Sequence, residues 1–197
     1  MTTPESESST NGGKSKLKYL VVTAIVLAID QWTKYWAATN LRNARDIDVI
    51  PGFLKFSYTE NPGIAFGMLS DANVRWILIG VSFAAIAIVM FYLIRTPSAN
   101  RLLSFALALL AAGISGNLID RIRMGRVIDF ILAYYKDYDW PVFNVADTVI
   151  SIGAALMAIE LFMTPQGDKA TAGELNESPI IETATTPESD DRIVNGS

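Results

Sequence analysis

Residues 74–94, VRWILIGVSFAAIAIVMFYLI, form an apolar run long enough to cross a bilayer, because about 20 residues of helix span its hydrocarbon core. Three similar runs accompany it, at 19–36, 102–119 and 142–163. Hydrophobic residues make up 51% of the chain, and its mean hydropathy is +0.30. The sequence therefore predicts an all-α membrane protein with four transmembrane helices, over about 18–38, 74–94, 101–120 and 142–163.

The two ends of the chain differ in composition from this apolar middle. Residues 1–15 are rich in Ser, Thr, Glu and Gly, and residues 165–197 in Glu, Asp, Thr, Pro and Ser. Such segments bury too little apolar surface to order themselves, which predicts disordered tails around a membrane domain over 16–164. The first apolar run lacks a small-residue cleavage site and is followed by similar runs, so it is predicted to be a retained span.

The connections between the predicted spans are unequal. The second and third spans are joined by a short link, whereas the links 37–73 and 120–141 are long and lie on one side. Within the first long link, residues 49–59 have the β-branched and aromatic content of a strand pair with a Pro-Gly turn, which predicts a small β-sheet on the membrane surface within about 41–70. Residues 127–135 suit either a short interfacial helix or a buried strand, and periodicity does not decide between them.

Unusual polar residues recur near three ends of these predicted spans. They are Asp30 and Lys34 near the end of the first, Asn117, Asp120 and Arg121 at the end of the third, and Asn144 and Asp147 at the start of the fourth. In a four-span protein those ends share one side of the membrane. Ionisable groups there are costly and usually face a bundle interior or a watery cavity, so each is a candidate functional residue. Gly113 and Gly116 would let another helix or a ligand approach closely.

The chain contains no histidine and no cysteine. This excludes a Ser-His-Asp triad, a Cys-His pair, a zinc site built on imidazole or thiolate, and any disulfide. Acid/base chemistry would then fall to Asp, Glu, Lys or Tyr. Asp129 and Asp147 both lie in apolar stretches, GRVIDF at 125–130 and FNVAD at 143–147. Two aspartates that share a proton are the simplest catalytic arrangement left.

Four short motifs occur in a characteristic order. They are DQWTK at 30–34, NPGIAFG at 61–67, GNLIDR at 116–121 with GRVIDF at 125–130, and FNVAD at 143–147. Together they resemble the bacterial lipoprotein signal peptidases, also called signal peptidase II, over roughly residues 18–163. Each motif is weak alone, but the order, the spacing and the position at the ends of four spans all match.

The resemblance implies an aspartic endopeptidase that removes the signal peptide from diacylglyceryl-modified prolipoproteins, cutting before the lipidated cysteine with water as the nucleophile. It implies Asp129 and Asp147 as the catalytic pair. Residues implied to bind substrate or inhibitor are Asn61, Asn117, Arg121 and Asn144. Residues implied to shape the site are Asp30, Lys34, Gly63, Ala65, Phe66, Gly113 and Asp120.

The resemblance also implies the setting of the reaction. The expected partners are diacylglyceryl-modified prolipoproteins, membrane lipids and globomycin-type inhibitors, with no cofactor, no metal and no nucleic acid, and the chain is expected to act as a monomer. The expected location is the bacterial cytoplasmic (inner) membrane, as a multi-pass protein with both termini cytoplasmic, an extracytoplasmic β-sheet and the active site near the outer face. The distribution of Lys and Arg does not settle this orientation by itself.

Simpler interpretations compete with these roles. An aspartate at a helix start, such as Asp147, commonly caps the helix or complements its dipole. Asp30 and Lys34, spaced i and i+4, favour a structural ion pair, and the aromatic residues fit an interfacial belt. A small ion- or proton-coupled transporter is the alternative function, although transporters usually place their site near the midplane within repeated halves. A scaffold without catalysis would not explain polar residues at three helix ends.

Overall fold

The computed structural model describes residues 8–63 and 71–163. Along the chain these residues form α1 (Ser8–Asn40), β1 (Ile47–Ile50), β2 (Leu54–Asn61), α2 (Asp71–Arg95), α3 (Arg101–Met124), β3 (Val127–Tyr135), β4 (Tyr138–Asp139) and α4 (Val145–Met163). Helix α1 begins at Ser8, inside the segment predicted to be a disordered tail. The predicted tail at 165–197 lies outside the described residues.

Three of the described helices are long and apolar enough to cross a membrane. Their spans are Val74–Arg95, Arg101–Met124 and Val145–Met163, with mean hydropathies of 2.7, 2.0 and 1.8. Helix α1 is long, but charged residues interrupt its apolar run. It lies at the position of the first predicted span, which is not among these three.

Helix α3 is the centre of the bundle and packs against α1, α2 and α4. Small buried residues, including Ala106, Ala108 and Gly113, allow its neighbours to come close. A Cβ atom at Gly113 would lie 2.5 Å from the backbone oxygen of Ala146, so this glycine permits the contact between α3 and α4. The helix ends at Met124 and is capped by Gly125, whose φ of 75° is the left-handed conformation that favours glycine after a helix.

The four strands form one antiparallel sheet in the order β1-β2-β3-β4. The predicted Pro-Gly turn joins β1 to β2, with Gly52 at a φ of 79°. Residues 127–135 form strand β3, so the alternative of a short interfacial helix there is wrong. Their β-branched and aromatic side chains suit a strand that pairs with β2 and is buried along most of its length.

The sheet is fixed to the helices at the end of α1. Phe56 lies between Trp36 and Phe130, with ring centroids 5.4 Å and 6.1 Å away. Phe143, just before α4, donates its N–H to Ile131 of β3 at 2.9 Å and accepts backbone hydrogen bonds in return. This bridge brings the start of α4 alongside β3, which places Asp147 and Asp129 in the same region.

Candidate active site

Asp129 is held in β3 by two asparagine amides. Its side chain is buried, with 2% exposure. Asn144 donates to its Oδ1 through Nδ2 at 2.7 Å, and Asn61 donates to its Oδ2 through Nδ2 at 3.0 Å. Both carboxylate oxygens are therefore fixed by neutral donors from different elements.

Asp147 lies in the first turn of α4 and forms a reciprocal cap with Asn144. Its backbone N–H donates to Asn144 Oδ1 at 2.9 Å, and its Oδ2 accepts the N–H of Asn144 at 3.2 Å. This is the geometry of a capping box in which Asn144 is the N-cap and Asp147 is its partner in the first turn, so Asp147 does have a structural role at the helix start. The same carboxylate also accepts a hydrogen bond from Asn117 Nδ2 at 2.8 Å, which a cap alone does not need.

Asn144 links the two carboxylates. It is fully buried, and while its Oδ1 caps the helix beside Asp147, its Nδ2 points at Asp129. The same Nδ2 lies 3.2 Å from Asn117 Oδ1 and 3.3 Å from the oxygen of Ile128. One asparagine therefore fixes the position of Asp129 relative to Asp147.

Burial changes the proton affinity of Asp129. The pKa of this carboxyl is raised to about 6, mainly by loss of water around it and in part by the nearby charge of Asp147. The hydrogen bonds from Asn61 and Asn144 and the charge of Lys34 act in the opposite direction. Because the first effect is the largest, Asp129 keeps a proton to a higher pH than an exposed aspartate does.

A buried ion cluster lies next to this pair. Lys34 Nζ is 3.0 Å from Asp30 Oδ2, 2.9 Å from Asp120 Oδ2 and 2.9 Å from Asn117 Oδ1. The predicted ion pair of Asp30 and Lys34 is confirmed, and Asp120 is the second carboxylate on the same ammonium. Asp30 Oδ1 also accepts the N–H of Ala146 at 2.8 Å, which ties the cluster to the first turn of α4.

Arg121 and two grooves lie beside the carboxylates. One groove, of about 430 Å³, runs along α4 from Trp140 past Asp147 to Ile152. The other, of about 290 Å³, is lined mainly by apolar side chains of α2, α3 and α4, and Asn117 and Arg121 line it as well. Each groove thus combines an apolar wall with a polar residue of the site.

The NPGIAFG motif is only partly described. Asn61 accepts the N–H of Gly63 at 2.8 Å through Oδ1, and Gly63 has a φ of 78°. This turn orients Asn61 so that its Nδ2 faces Asp129. Ala65 and Phe66, predicted to shape the site, lie outside the described residues.

Two supporting residues were not predicted from the sequence. Gln31 donates through Nε2 to Asp120 Oδ1 and to the oxygen of Gly116, both at 3.2 Å. Arg75 donates to the backbone oxygens of Arg121 and Ile122 at 3.1 Å and 2.8 Å, and so caps α3. A glutamine beside Asp30 in an apolar run was a usable signal, but nothing in the sequence links Arg75 to a helix end distant in the chain.

The fold and the site together define a class of protein. At one end of a bundle of apolar helices, strand β3 and helix α4 each supply one carboxylate, and one asparagine links the two. Two coupled carboxyl groups, one with a raised pKa, are the arrangement that aspartic hydrolases use.

Comparisons with known proteins identify the family within this class. The family model described as Signal peptidase (SPase) II matches residues 22–163. The lipoprotein signal peptidase of Symbiobacterium thermophilum is 40% identical over 153 residues, which are 78% of this chain and 98% of the relative. That of Syntrophus aciditrophicus is 38% identical over 75% of this chain and 94% of the relative.

Solved structures agree with this. A bacterial membrane enzyme determined by the in meso method at 1.9 Å resolution has a TM-score of 0.69 and 32% identity, over 75% of this chain and 94% of its own. A second, at 2.3 Å resolution, has a TM-score of 0.66 and 31% identity, over 82% and 93%. The chain belongs to the signal peptidase II family and is a bacterial membrane peptidase.

Proposed function

We propose that this protein is an aspartic endopeptidase that removes the signal peptide from diacylglyceryl-modified prolipoproteins, cutting just before the lipidated cysteine. The observation that carries the proposal is the pair of Asp129 and Asp147 held by Asn144 in a chain of this family. The relatives are named lipoprotein signal peptidases, which supports prolipoproteins as the substrate class.

In the proposed reaction Asp129 holds the proton and Asp147 is ionised. Burial raises the pKa of Asp129 to about 6. Asp147, which is less buried, lines the larger groove, where a water molecule would reach it. Asp147 takes a proton from that water, the water oxygen attacks the scissile carbonyl carbon, and Asp129 gives its proton to the carbonyl oxygen. When the C–N bond breaks, the amine leaves with the proton that Asp147 took up, and the hydroxyl proton returns to Asp129.

The grooves suit the proposed substrate. A signal peptide and a diacylglyceryl group are both apolar, and both grooves have mainly apolar walls. Arg121 offers a guanidinium at the second groove, where it would meet ester or peptide carbonyl oxygens. Globomycin-type inhibitors are expected to compete for the same space.

We infer that α1 is a fourth transmembrane helix and that the protein acts as a monomer in the cytoplasmic membrane. The polar residues that lower the hydropathy of α1, Asp30 and Lys34, are buried against α3 and α4 rather than exposed to lipid. Four spans place both termini on one side, the cytoplasmic one in this proposal. The site then lies near the outer face, where a lipid-modified cysteine emerges.

The proposal is tested by incubating purified protein with a diacylglyceryl-modified prolipoprotein and following signal-peptide loss by gel shift. Cleavage of the lipidated substrate, little cleavage of the same chain without the lipid, and inhibition by globomycin are the expected results. A well-folded preparation that does not cut the lipidated substrate would overturn the proposal. Ion-flux assays in liposomes would then test the transporter alternative, which no described feature favours.

The dependence of the reaction on pH follows from the raised pKa of Asp129. We expect kcat/KM to fall as the pH rises through about 6, because the free enzyme then loses the proton that Asp129 must donate. A bound apolar peptide removes more water from the site, so the decline in kcat should lie at higher pH than the decline in kcat/KM. Initial rates measured across the acidic and neutral range would show the decline in kcat/KM and the decline in kcat. A kcat/KM that stayed constant well above pH 6 would contradict the assignment of the proton to Asp129.

A further inference from the structure

Lys34 is enclosed by acceptors that account for all of its donor capacity. Its side chain is 2% exposed, and Nζ is within 3.0 Å of an oxygen of Asp30, of Asp120 and of Asn117. An ammonium group has three N–H donors and no acceptor. Two of the three N–H donors point at the carboxylates of Asp30 and Asp120, as in a structural ion cluster. The third points at the amide oxygen of Asn117, whose Nδ2 contacts Asp147.

The contact with Lys34 determines which way the amide of Asn117 points. Asn117 Oδ1 accepts hydrogen bonds from Lys34 Nζ at 2.9 Å and from Asn144 Nδ2 at 3.2 Å. The Nδ2 of Asn117 is therefore directed at Asp147 Oδ1, 2.8 Å away. A half-turn of the amide would place its NH₂ against the ammonium and its oxygen against the carboxylate. Both contacts would be repulsive, because an ammonium only donates and an ionised carboxylate only accepts.

We propose that Lys34 is a positioning residue for peptide-bond cleavage. Lys34 fixes the amide of Asn117, and the amide of Asn117 in turn donates the hydrogen bond that holds Asp147 in place. This inference rests on the proposed function, because it gives Asp147 a role in the reaction. Lys34 forms a hydrogen bond with neither Asp129 nor Asp147. Its charge lowers the pKa of Asp129, whereas its effect on Asp147 passes through the neutral side chain of Asn117. Loss of Lys34 should therefore lower the rate of the chemical step and leave substrate binding unchanged.

A direct test must remove the ammonium without leaving two buried carboxylates unpaired. Lys34→Met alone would leave both buried carboxylates unpaired and is expected to unfold much of the protein. Asp30→Asn/Lys34→Met keeps the formal charge of the cluster at −1, since two carboxylates and one ammonium become one carboxylate. An asparagine at position 30 can still accept the N–H of Ala146. If this variant does not fold, Asp120→Asn/Lys34→Met reaches the same charge by the other route and carries the same expectation.

Asp30→Asn/Lys34→Met is expected to lower kcat by roughly 10- to 100-fold with KM changed less than about twofold, the scale that small misplacements of reacting groups produce. Asn117→Leu should have a comparable effect on kcat. The decisive variant combines all three substitutions. If Lys34 acts through Asn117, the combined variant should lose no more activity than Asn117→Leu alone, because the effects of coupled residues do not add.

Lys16→Met is the matched control. Lys16 also lies on α1 and also joins helices, by donating to the backbone oxygens of Leu93 and Thr96, but at the other end of the bundle. This control should lower the thermal unfolding midpoint in detergent and leave kcat unchanged. Wild-type kcat in a folded Asp30→Asn/Lys34→Met variant would overturn the inference, and so would losses that multiply in the combined variant. Failure of the wild type to cleave would instead count against the proposed function.

Discussion

Asp129→Asn and Asp147→Asn are each expected to abolish signal-peptide removal, with kcat reduced by roughly 10³-fold or more. Asparagine has nearly the shape of aspartate, but it can neither give up nor take up a proton at the pH of the reaction. At position 129 the substitution removes the proton donor for the carbonyl oxygen. At position 147 it removes the base that activates water.

The control for these variants is Asp139→Asn, which removes a carboxylate from the exposed strand β4. It should cleave at the wild-type rate. All three variants need a check of folding, by circular dichroism and by elution as a single species in detergent. Near-normal cleavage by a folded Asp129→Asn or Asp147→Asn variant would contradict the proposed chemistry.

Stability should distinguish the catalytic role of Asp129 from a structural one. The pKa of Asp129 is higher in the folded protein than in an exposed aspartate. The unfolded chain therefore loses this proton at lower pH than the folded chain does. The contribution of Asp129 to stability is thus present at acidic pH and declines as the pH rises toward about 6. Asparagine removes this penalty, but its NH₂ would face the N–H donor of Asn61 or of Asn144, so the two effects on stability oppose each other. Asp129→Asn should therefore lose far more activity than stability at neutral pH.

The sequence was most informative where function places polar groups in an apolar chain. Asp30, Asn117, Asn144 and Asp147 were conspicuous because burying such groups is costly, and the structure brings all four together. The Pro-Gly turn between β1 and β2 was predictable for a different local reason, because proline and glycine favour the backbone angles of tight turns.

Predictions were weaker where the partner of a residue lies far away in the chain. Residues 127–135 suited a helix or a strand equally, and only pairing with β2 decides for a strand. The sequence placed Asp120 next to Arg121, whereas in the fold it pairs with Lys34 of another helix. Local patterns identify which residues are unusual, but long-range packing determines what they contact.

Gly113→Ala is expected to impair both the stability and the activity of the protein. The added Cβ would lie 2.5 Å from the backbone oxygen of Ala146 and 2.6 Å from Ile150 Cγ1. Because backbone cannot rotate away as a side chain can, the first turn of α4 must shift, and Asp147 shifts with it. Overpacking of this kind costs about 1–3 kcal/mol. A displacement near 1 Å at a reacting group can lower the rate roughly 100-fold. Thermal unfolding in detergent and the prolipoprotein assay would measure the two effects.

Two other glycines separate the effect on the site from the effect on packing. Gly153 also lies between α3 and α4, where a Cβ would come within 2.9 Å of the oxygen of Ala106, but its contacts are further along α4 than the site. Gly153→Ala should therefore lower stability and leave kcat close to wild type. Among the described residues, a Cβ atom at Gly80 on α2 would meet no neighbouring group within 4 Å, so Gly80→Ala should lower neither stability nor kcat. If Gly113→Ala and Gly153→Ala lowered kcat equally, general loosening of the bundle would explain the loss. A loss confined to Gly113→Ala would mean that the contact between α3 and the start of α4 sets the position of Asp147.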